Sequence, residues 1–288
     1  MHRSFVVAVL VVLVNVVAPR AHAADWSGVE SVFGRKGNQQ GIIFSIAFPR
    51  TDLTVKVDSI TLEPAFALSS WVGFRSMGSS AMIMGDMCLR EDEVEPAMKK
   101  LVAGGLDVTA VHNHVLHENP RIMFMHFGGR GDAVRLAELV KSALQVTGTP
   151  LGEPVAPSDT AAWGNVESLM GFAGKRTGRV IHFGVPRLAA VTENSMDIPP
   201  ALGVASSINF QKVGENAAVT GDLVLISSEV NPVVKSLTDN GIAVTALHSH
   251  MLFEVPRLYF LHFWGVGNPE TLARALRGAL EWTASARK

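Results

Sequence analysis

Histidine, glutamate and arginine recur in one short pattern that the chain contains twice. TAVHNHVLHENPRIMFMHF starts at Thr109 and TALHSHMLFEVPRLYFLHF starts at Thr245, an offset of 136 residues. That offset pairs His112 with His248, His114 with His250, Glu118 with Glu254, Pro120 with Pro256, Arg121 with Arg257 and His126 with His262. Of the ten histidines, His2 and His22 belong to an apolar N-terminal segment, and seven of the remaining eight fall in these two stretches. Three neutral imidazoles plus a carboxylate make a ligand set for a first-row divalent metal, and imidazole suits Zn, Cu, Fe or Ni. The metal ligands this reading names are His112, His114, His126, His248, His250 and His262. Glu118 and Glu254 would serve as fourth ligand or as the catalytic base on a metal-bound water. Arg121 and Arg257 would face a bound cofactor or ligand.

Metal-free readings stand beside this one. Buried histidines can hydrogen-bond one another, a carboxylate and backbone carbonyls, forming a polar pocket for a small-molecule ligand or a purely structural network. Glu118 with Arg121, and Glu254 with Arg257, can be ion pairs that steady a proline turn. His117 is replaced by Phe253 in the second stretch, which argues against a role for it. Equal weight on both copies predicts that alanine at His114 and alanine at His250 cause similar losses.

A strand must carry the H-x-H pair, because residues two apart on a strand share a face. The chain then turns through Glu118-Asn119-Pro120 and returns along a second strand bearing His126. An odd-length turn centred on Asn119 would set His126 opposite His112 and bring three imidazoles within about 6 Å. An even turn would send His126 to the other face. Around this hairpin the pattern predicts a strand over residues 81–89, a helix over 91–103 stopped by Gly104-Gly105, strands over 106–116 and 121–127, and an amphipathic helix over 132–146. In the second copy Asn268 and Pro269 open that last helix as N-cap and first-turn proline. Gly85-Asp86 and Gly221-Asp222 recur within the strand before the first helix and read as bulge positions. Further strands, over 41–48 and 54–62, precede this core.

The order strand-helix-strand-strand-helix predicts an α+β fold, built as a tandem duplication of an open-sheet module with helices packed on one face, ferredoxin-like in its core. A period this long marks two copies of a domain, since solenoid units run to about 20–50 residues. The expected organisation is a signal peptide over 1–23, a first module over 24–148, a Pro- and Gly-rich linker over 149–162 and a second module over 163–288. Each module opens on Val-Glu-Ser, at Val29 and at Val166, and each has an apolar run ending in Pro-Arg, at Pro49-Arg50 and Pro186-Arg187.

The N-terminus carries Arg3, an apolar run over residues 5–17 and the small-x-small site Ala21-His22-Ala23. This is the pattern of a cleaved secretory signal, so the protein is expected to be exported, periplasmic or secreted, with no transmembrane segment after cleavage. The single cysteine, Cys88, excludes an internal disulfide and aligns with Val224, which marks it as a small core residue. A net charge of −1 without a basic run argues against nucleic acid as a partner.

The HNH and HSH strands, the E-x-P-R turn and the M-H-F-G-G or L-H-F-W-G strand together resemble a family of unknown function that includes the mycobacterial lipoproteins LppY and LpqO. The resemblance covers essentially the whole mature chain, as two copies. It implies an exported bacterial protein and supplies no activity. This chain departs from the lipoprotein members in having no cysteine near the cleavage site, so membrane attachment does not carry over. The residues therefore point to an exported protein whose duplicated hairpins bind a divalent metal or small ligand, with metal-dependent hydrolysis as the enzymatic form. The non-catalytic form is a binding protein whose histidines line a pocket or the interface between repeats.

Overall fold

A computed structural model describes residues 24–155, 157 and 159–285. The expected signal segment, 1–23, lies outside the described residues. The first module comprises α1 (Ser27–Phe33), β1 (Asn38–Gln40), β2 (Ile43–Pro49), β3 (Lys56–Val57), β4 (Ile60–Thr61), β5 (Ser69–Met77), β6 (Ser80–Arg90), α2 (Glu91–Ala103), β7 (Asp107–His112), β8 (Glu118–Asn119), β9 (Ile122–Gly131) and α3 (Ala133–Leu144). The second repeats the order as α4 (Val166–Met170), β10 (Lys175–Thr177), β11 (Val180–Pro186), β12 (Thr192–Glu193), β13 (Met196–Asp197), β14 (Ala205–Val213), β15 (Asn216–Leu225), α5 (Ser227–Asp239), β16 (Ala243–His248), β17 (Glu254–Val255), β18 (Tyr259–Gly267) and α6 (Pro269–Leu280).

Each module is an open antiparallel sheet of six strands, ordered β1-β2-β5-β6-β9-β7 and β10-β11-β14-β15-β18-β16. The α+β architecture is that of two repeated sheet modules. Within each, β9 or β18 inserts between the two strands that flank a crossover helix, the split β-α-β arrangement of a ferredoxin-like core. The strands that precede the core extend the sheet from the outer edge of β6 and of β15. The segment 54–62 forms the short β3-β4 hairpin instead of one strand, and β3 also pairs with β8.

Period-two alternation decides which face each residue takes. Ile46, Phe48, Phe74, Ile83, Met87, Leu89, Met125 and Phe127 pack beneath Val29 and Phe33 of α1, Ala97 and Leu101 of α2, and Leu136 and Val140 of α3. The residues between them, Asp86, Cys88, Phe124 and His126, therefore point to the face that carries no helix. Ends of the helices obey local rules. Asp132 accepts the amide of Arg135 at 2.9 Å, and Asn268 accepts those of Glu270 and Thr271 at 3.0 and 3.1 Å. Gly105 takes the left-handed conformation, φ 83°, that ends α2.

The Pro-Arg motif closes a buried ion pair in each copy. Arg50 donates to Glu93 at 2.8 Å and to the Cys88 carbonyl at 2.6 Å; Arg187 donates to Glu229 at 2.7 Å and to the Val224 carbonyl at 2.7 Å. The glutamates also accept the amides of Arg90 and Ile226, both at 2.9 Å, so one carboxylate joins a strand end, a helix start and an arginine.

The helix-free faces of the two sheets meet. Val55, Val57, Leu62 and Phe66, from the β3-β4 region, pack with Cys88 and Phe124 of their own sheet and with Val180 and Ala218 of the other. Val191, Ile198, Leu202 and Val204 of the second module reciprocate against Ile43 and Met82 of the first. Gln211 seals one seam, accepting the amide of Glu63 and donating to the carbonyl of Thr61, both at 2.8 Å. The result is four layers, helices outside and two sheets inside, with the hairpins between the sheets.

Candidate metal centre

All six repeated histidines converge between the sheets. His112 stacks on its own counterpart His248, with ring centroids 3.6 Å apart. His114 stacks on His262 at 4.1 Å, and His126 stacks on His250 at 3.6 Å. The repeat offset exchanges the last two pairs and maps the first onto itself. The two hairpins are thus related by a pseudo-twofold axis through the His112–His248 pair, and they build one shared site, not two separate ones.

Local chain geometry explains the convergence. β7 pairs with β9 so that Ala110 faces His126 and His112 faces Phe124, with an irregularity between Val108 and Ala110; β16 and β18 repeat it, with Ala246 facing His262. His126 is therefore not opposite His112, as a turn centred on Asn119 requires. It lies one pair further along the same face, because the loop is centred on Glu118. The first strand also ends at His112, and the second copy's at His248, so His114 and His250 sit on the bend beyond it. The rings of His112 and His114 still lie only 5.3 Å apart.

Gly85-Asp86 and Gly221-Asp222 are not bulges: the strand register runs through them without a shift. Their glycines allow close approach, since a Cβ at Gly85 would lie 2.6 Å from the Trp71 carbonyl oxygen and one at Gly221 would lie 2.1 Å from that of Ser207. The aspartates are the candidate site residues that sequence reasoning undervalued. Asp86 pairs across the strands with His126, and its Oδ1 lies 3.8 Å from the His126 Nε2. Asp222 Oδ2 lies 3.9 Å from the His250 Nδ1. Their recurrence one residue after a repeated glycine was the available signal.

The glutamates and arginines are placed elsewhere. The Glu118 carboxylate accepts the Ile122 amide at 3.1 Å, and that of Glu254 accepts the Leu258 amide at 3.0 Å and Arg257 at 3.2 Å. Both carboxylates thus serve the proline turn, so the structure does not bring them into the histidine cluster. Arg257 also donates to the carbonyls of Met251 and Leu252, while Arg121 is exposed and lies 3.8 Å from Glu91. No cofactor-facing role follows for either. His117 stands in the turn with φ 61°, and His182 bonds Asn209 Oδ1 at 2.9 Å.

Protonation can be read from hydrogen-bond partners. His262 Nδ1 lies 2.8 Å from the carbonyl oxygen of Gly221, and His112 Nδ1 lies 3.1 Å from that of Asn113. A carbonyl only accepts, so each Nδ1 carries the proton and each Nε2 presents a bare lone pair. Among the described residues, the buried Nε2 atoms of His112, His126, His250 and His262 have no partner, nor has either ring nitrogen of His248. Burial pushes His112 down to about 3 and His248 down to about 4, and drives His114, His126, His250 and His262 well below the usual histidine value, with neighbouring imidazoles adding to the effect. The imidazoles are therefore neutral at pH 7, as metal ligation requires. Burial has the opposite sign for acids. It lifts Asp86 to about 8 and Asp222 well above its usual value.

His112, His248, His250 and His262 each offer a ring nitrogen, and these four atoms lie within 4.8 Å of one another. A tetrahedral ion with bonds of about 2.0–2.1 Å needs only a modest contraction of that set. A cavity of about 960 Å³ opens beside it between the sheets, reaching Asp86, His114, His126, Asp222 and His250 and walled by Trp71, Phe124 and Met251.

Residues 27–146 and 164–282 each match a family described as Domain of Unknown Function (DUF1259). No curated protein matches the chain. Among solved structures, the chain is similar to the trimeric bacterial microcompartment shell protein PduB, with 11% identity, 85% of this chain and 89% of that one covered and a TM-score of 0.21. It is also similar to EtuB from Clostridium kluyveri, at 8% identity, 85% and 90% coverage and a TM-score of 0.19. Likenesses of that size carry no argument about architecture or role. Among the described residues no helix is long and apolar enough to cross a membrane.

Proposed function

The chain belongs to the DUF1259 family of unknown function, in two tandem copies, and from that premise we propose that the fused pair is a metal-binding protein with one centre on its pseudo-twofold axis. The observation that carries this is the set of neutral, buried imidazoles whose unpartnered nitrogens face one another. A buried donor or acceptor without a partner costs about 1–3 kcal/mol, and several at one point call for a shared partner. Imidazole donors favour Zn, Cu, Fe or Ni. His112, His248, His250 and His262 would hold the ion. When bound, such an ion supplies Lewis-acid chemistry, and the adjoining cavity gives a small molecule access to it, which makes metal-dependent hydrolysis the activity to screen first. The affinity with LppY and LpqO and export to the periplasm or medium belong to the same proposal.

A second reading is favoured by the His112–His248 stack: the histidines line the contact between repeats, so a non-catalytic ion would act as a clasp holding the sheets together.

Elemental analysis of untagged protein, purified without chelator, tests the proposal. The expected result is near-stoichiometric metal that is lost in the His248→Ala/His262→Ala variant. Absence of metal, together with an unchanged melting temperature on adding Zn, Cu, Ni or Mn, would overturn it.

A further inference from the structure

The pseudo-twofold axis relates the two ends of the inter-sheet cavity, but the residues at those ends differ in kind. In the first module Ser45 and Ala47 of β2 pair with Gly73 and Trp71 of β5. The corresponding positions in the second are His182 and Gly184 of β11, paired with Asn209 and Ser207 of β14. An indole therefore stands where the second module has a hydroxyl. The indole end is apolar. A Cβ at Gly73 would lie 2.7 Å from Leu202 Cδ1 and 3.2 Å from Trp71 Cζ3, so glycine lets both side chains close over it. The other end is polar. His182 Nδ1 donates to Asn209 Oδ1 at 2.9 Å and lies 3.5 Å from Ser207 Oγ. Burial pulls the ring below the usual histidine value, so it is neutral, and with its proton on Nδ1 it presents Nε2 as a bare acceptor. A Cβ at Gly184 would meet only that Nε2, at 3.8 Å, so glycine leaves an open floor beside it. Ser207, the strand partner of Gly184, flanks the same floor. Trp71, His182, Gly184, Ser207 and Asn209 all line the cavity.

We propose that the cavity is the binding site of a neutral small molecule with an aromatic ring at one end, against Trp71, and a hydroxyl group at the other, in the niche over Gly184. A hydroxyl donates and accepts at once. It can give its proton to His182 Nε2 and accept from the Ser207 hydroxyl or the Asn209 amide. A carboxylate does only the second, and would set its charge against the Nε2 lone pair. An ammonium would meet Nε2 but stand beside Lys175, the strand partner of His182. Arg179 also lines the cavity, but it donates to the Lys212 carbonyl at 2.7 Å and lies 3.9 Å from Glu63. That leaves Lys175 as the group that would draw an anion instead. The cavity, about 960 Å³, has the capacity of a small-molecule pocket, about 300–1,000 Å³. Trp71 and Ser207 are strand partners of Asp86 and Asp222, so a molecule that reaches both ends lies alongside the histidine cluster. None of the niche residues belongs to the four-histidine set, so this inference goes beyond the metal reading and stands apart from it.

The test is ligand-observed saturation-transfer NMR on the full chain, with hydrocinnamyl alcohol, hydrocinnamate and phenylpropylammonium as matched probes. The alcohol should bind most tightly, and equally well before and after treatment with chelator. His182→Phe keeps a ring but removes the acceptor, and should weaken the alcohol by about three- to tenfold while leaving hydrocinnamate unchanged. Trp71→Leu should weaken all three probes. Tightest binding of hydrocinnamate, which Lys175 would then explain, or of the ammonium overturns the proposal. So does failure of all three to bind, or an alcohol affinity that His182→Phe does not move. Loss of the alcohol on chelation would put its hydroxyl on the ion and overturns the niche while leaving the metal reading intact. Should His182→Phe fail to fold, Ser207→Ala decides by the same weakening.

Discussion

The two hairpins share their histidines but not their supports. In the second, buried Glu254 accepts from Arg257 and from the Leu258 amide, and Glu193 of β12 accepts the Phe253 amide at 3.2 Å. In the first, Val57 stands where Glu193 does, Glu118 accepts one backbone amide, and Arg121 has turned to the surface near Glu91. Asn113 reaches out of its hairpin to the Thr245 carbonyl at 3.4 Å, while its mate Ser249 bonds inward to Leu258 at 3.2 Å. The second hairpin is the better anchored, and it supplies three of the four convergent imidazoles, His248, His250 and His262. Duplication fixed where imidazoles stand. Divergence then decided which copy holds them most firmly, because ligation depends on how well each ring is held as well as on where it lies.

Acid is the strongest way to break the comparison, since it acts on both hairpins together. Each of the six repeated histidines has a folded value below its unfolded one of about 6.5, so its contribution to stability is complete above that pH. It is lost as pH falls toward about 4 for His248 and about 3 for His112. Asp86 works with the opposite sign, its contribution fading as pH rises from about 3.9 through about 8. Six histidines outweigh two aspartates below neutrality. Metal-free protein should therefore be most stable near pH 6.5 and lose melting temperature on both sides, steeply in acid, as thermal melts in chelator from pH 4 to 9 will record.

The frameworks come next. Arg50→Met and Arg187→Met each strand a buried glutamate and should each cost about 3–5 kcal/mol by urea denaturation. Arg50 also holds Asp52 at 2.8 Å, so its loss should be the greater of the two. Equal losses would mean that the extra carboxylate contributes nothing.

The ligands sharpen the comparison directly. His250→Ala should weaken Zn affinity by at least about tenfold, an effect of about 1.4 kcal/mol, and His114→Ala by distinctly less, measured by competition with a chromogenic chelator. Equal losses, as symmetry alone predicts, would show that anchoring does not matter. The smallest effect belongs to the turns. Arg257→Ala should destabilise by about 1 kcal/mol, because it removes a donor from buried Glu254, while exposed Arg121→Ala should be nearly silent in the same melts.

Much of this was legible in the residues themselves. The repeat, the pairing of histidines, the helix over 91–103 and the cap at Asn268 follow from local pattern, and the structure has them. What depended on pairing was not legible. The loop centred on Glu118 sets His126 opposite Ala110 instead of His112, and no feature of one strand announces its partner's register. Asp86 looked like a strand detail because its meaning lies on β9. Glu118 looked catalytic because a carboxylate near histidines fits a metal set, but the turn amides claimed it. That the helix-free faces meet follows only once both sheets exist.

The crossing of β3-β4 onto the second sheet, and of the 191–204 region onto the first, has a consequence for ancestry. A chain carrying one module would present the same face and the same arm to a second copy of itself, and an isologous dimer would close the site on a true axis. Every change to such a dimer would strike both halves at once. Joining the halves in one polypeptide removes that constraint. One hairpin can then be tightened for holding while the other drifts toward the cavity.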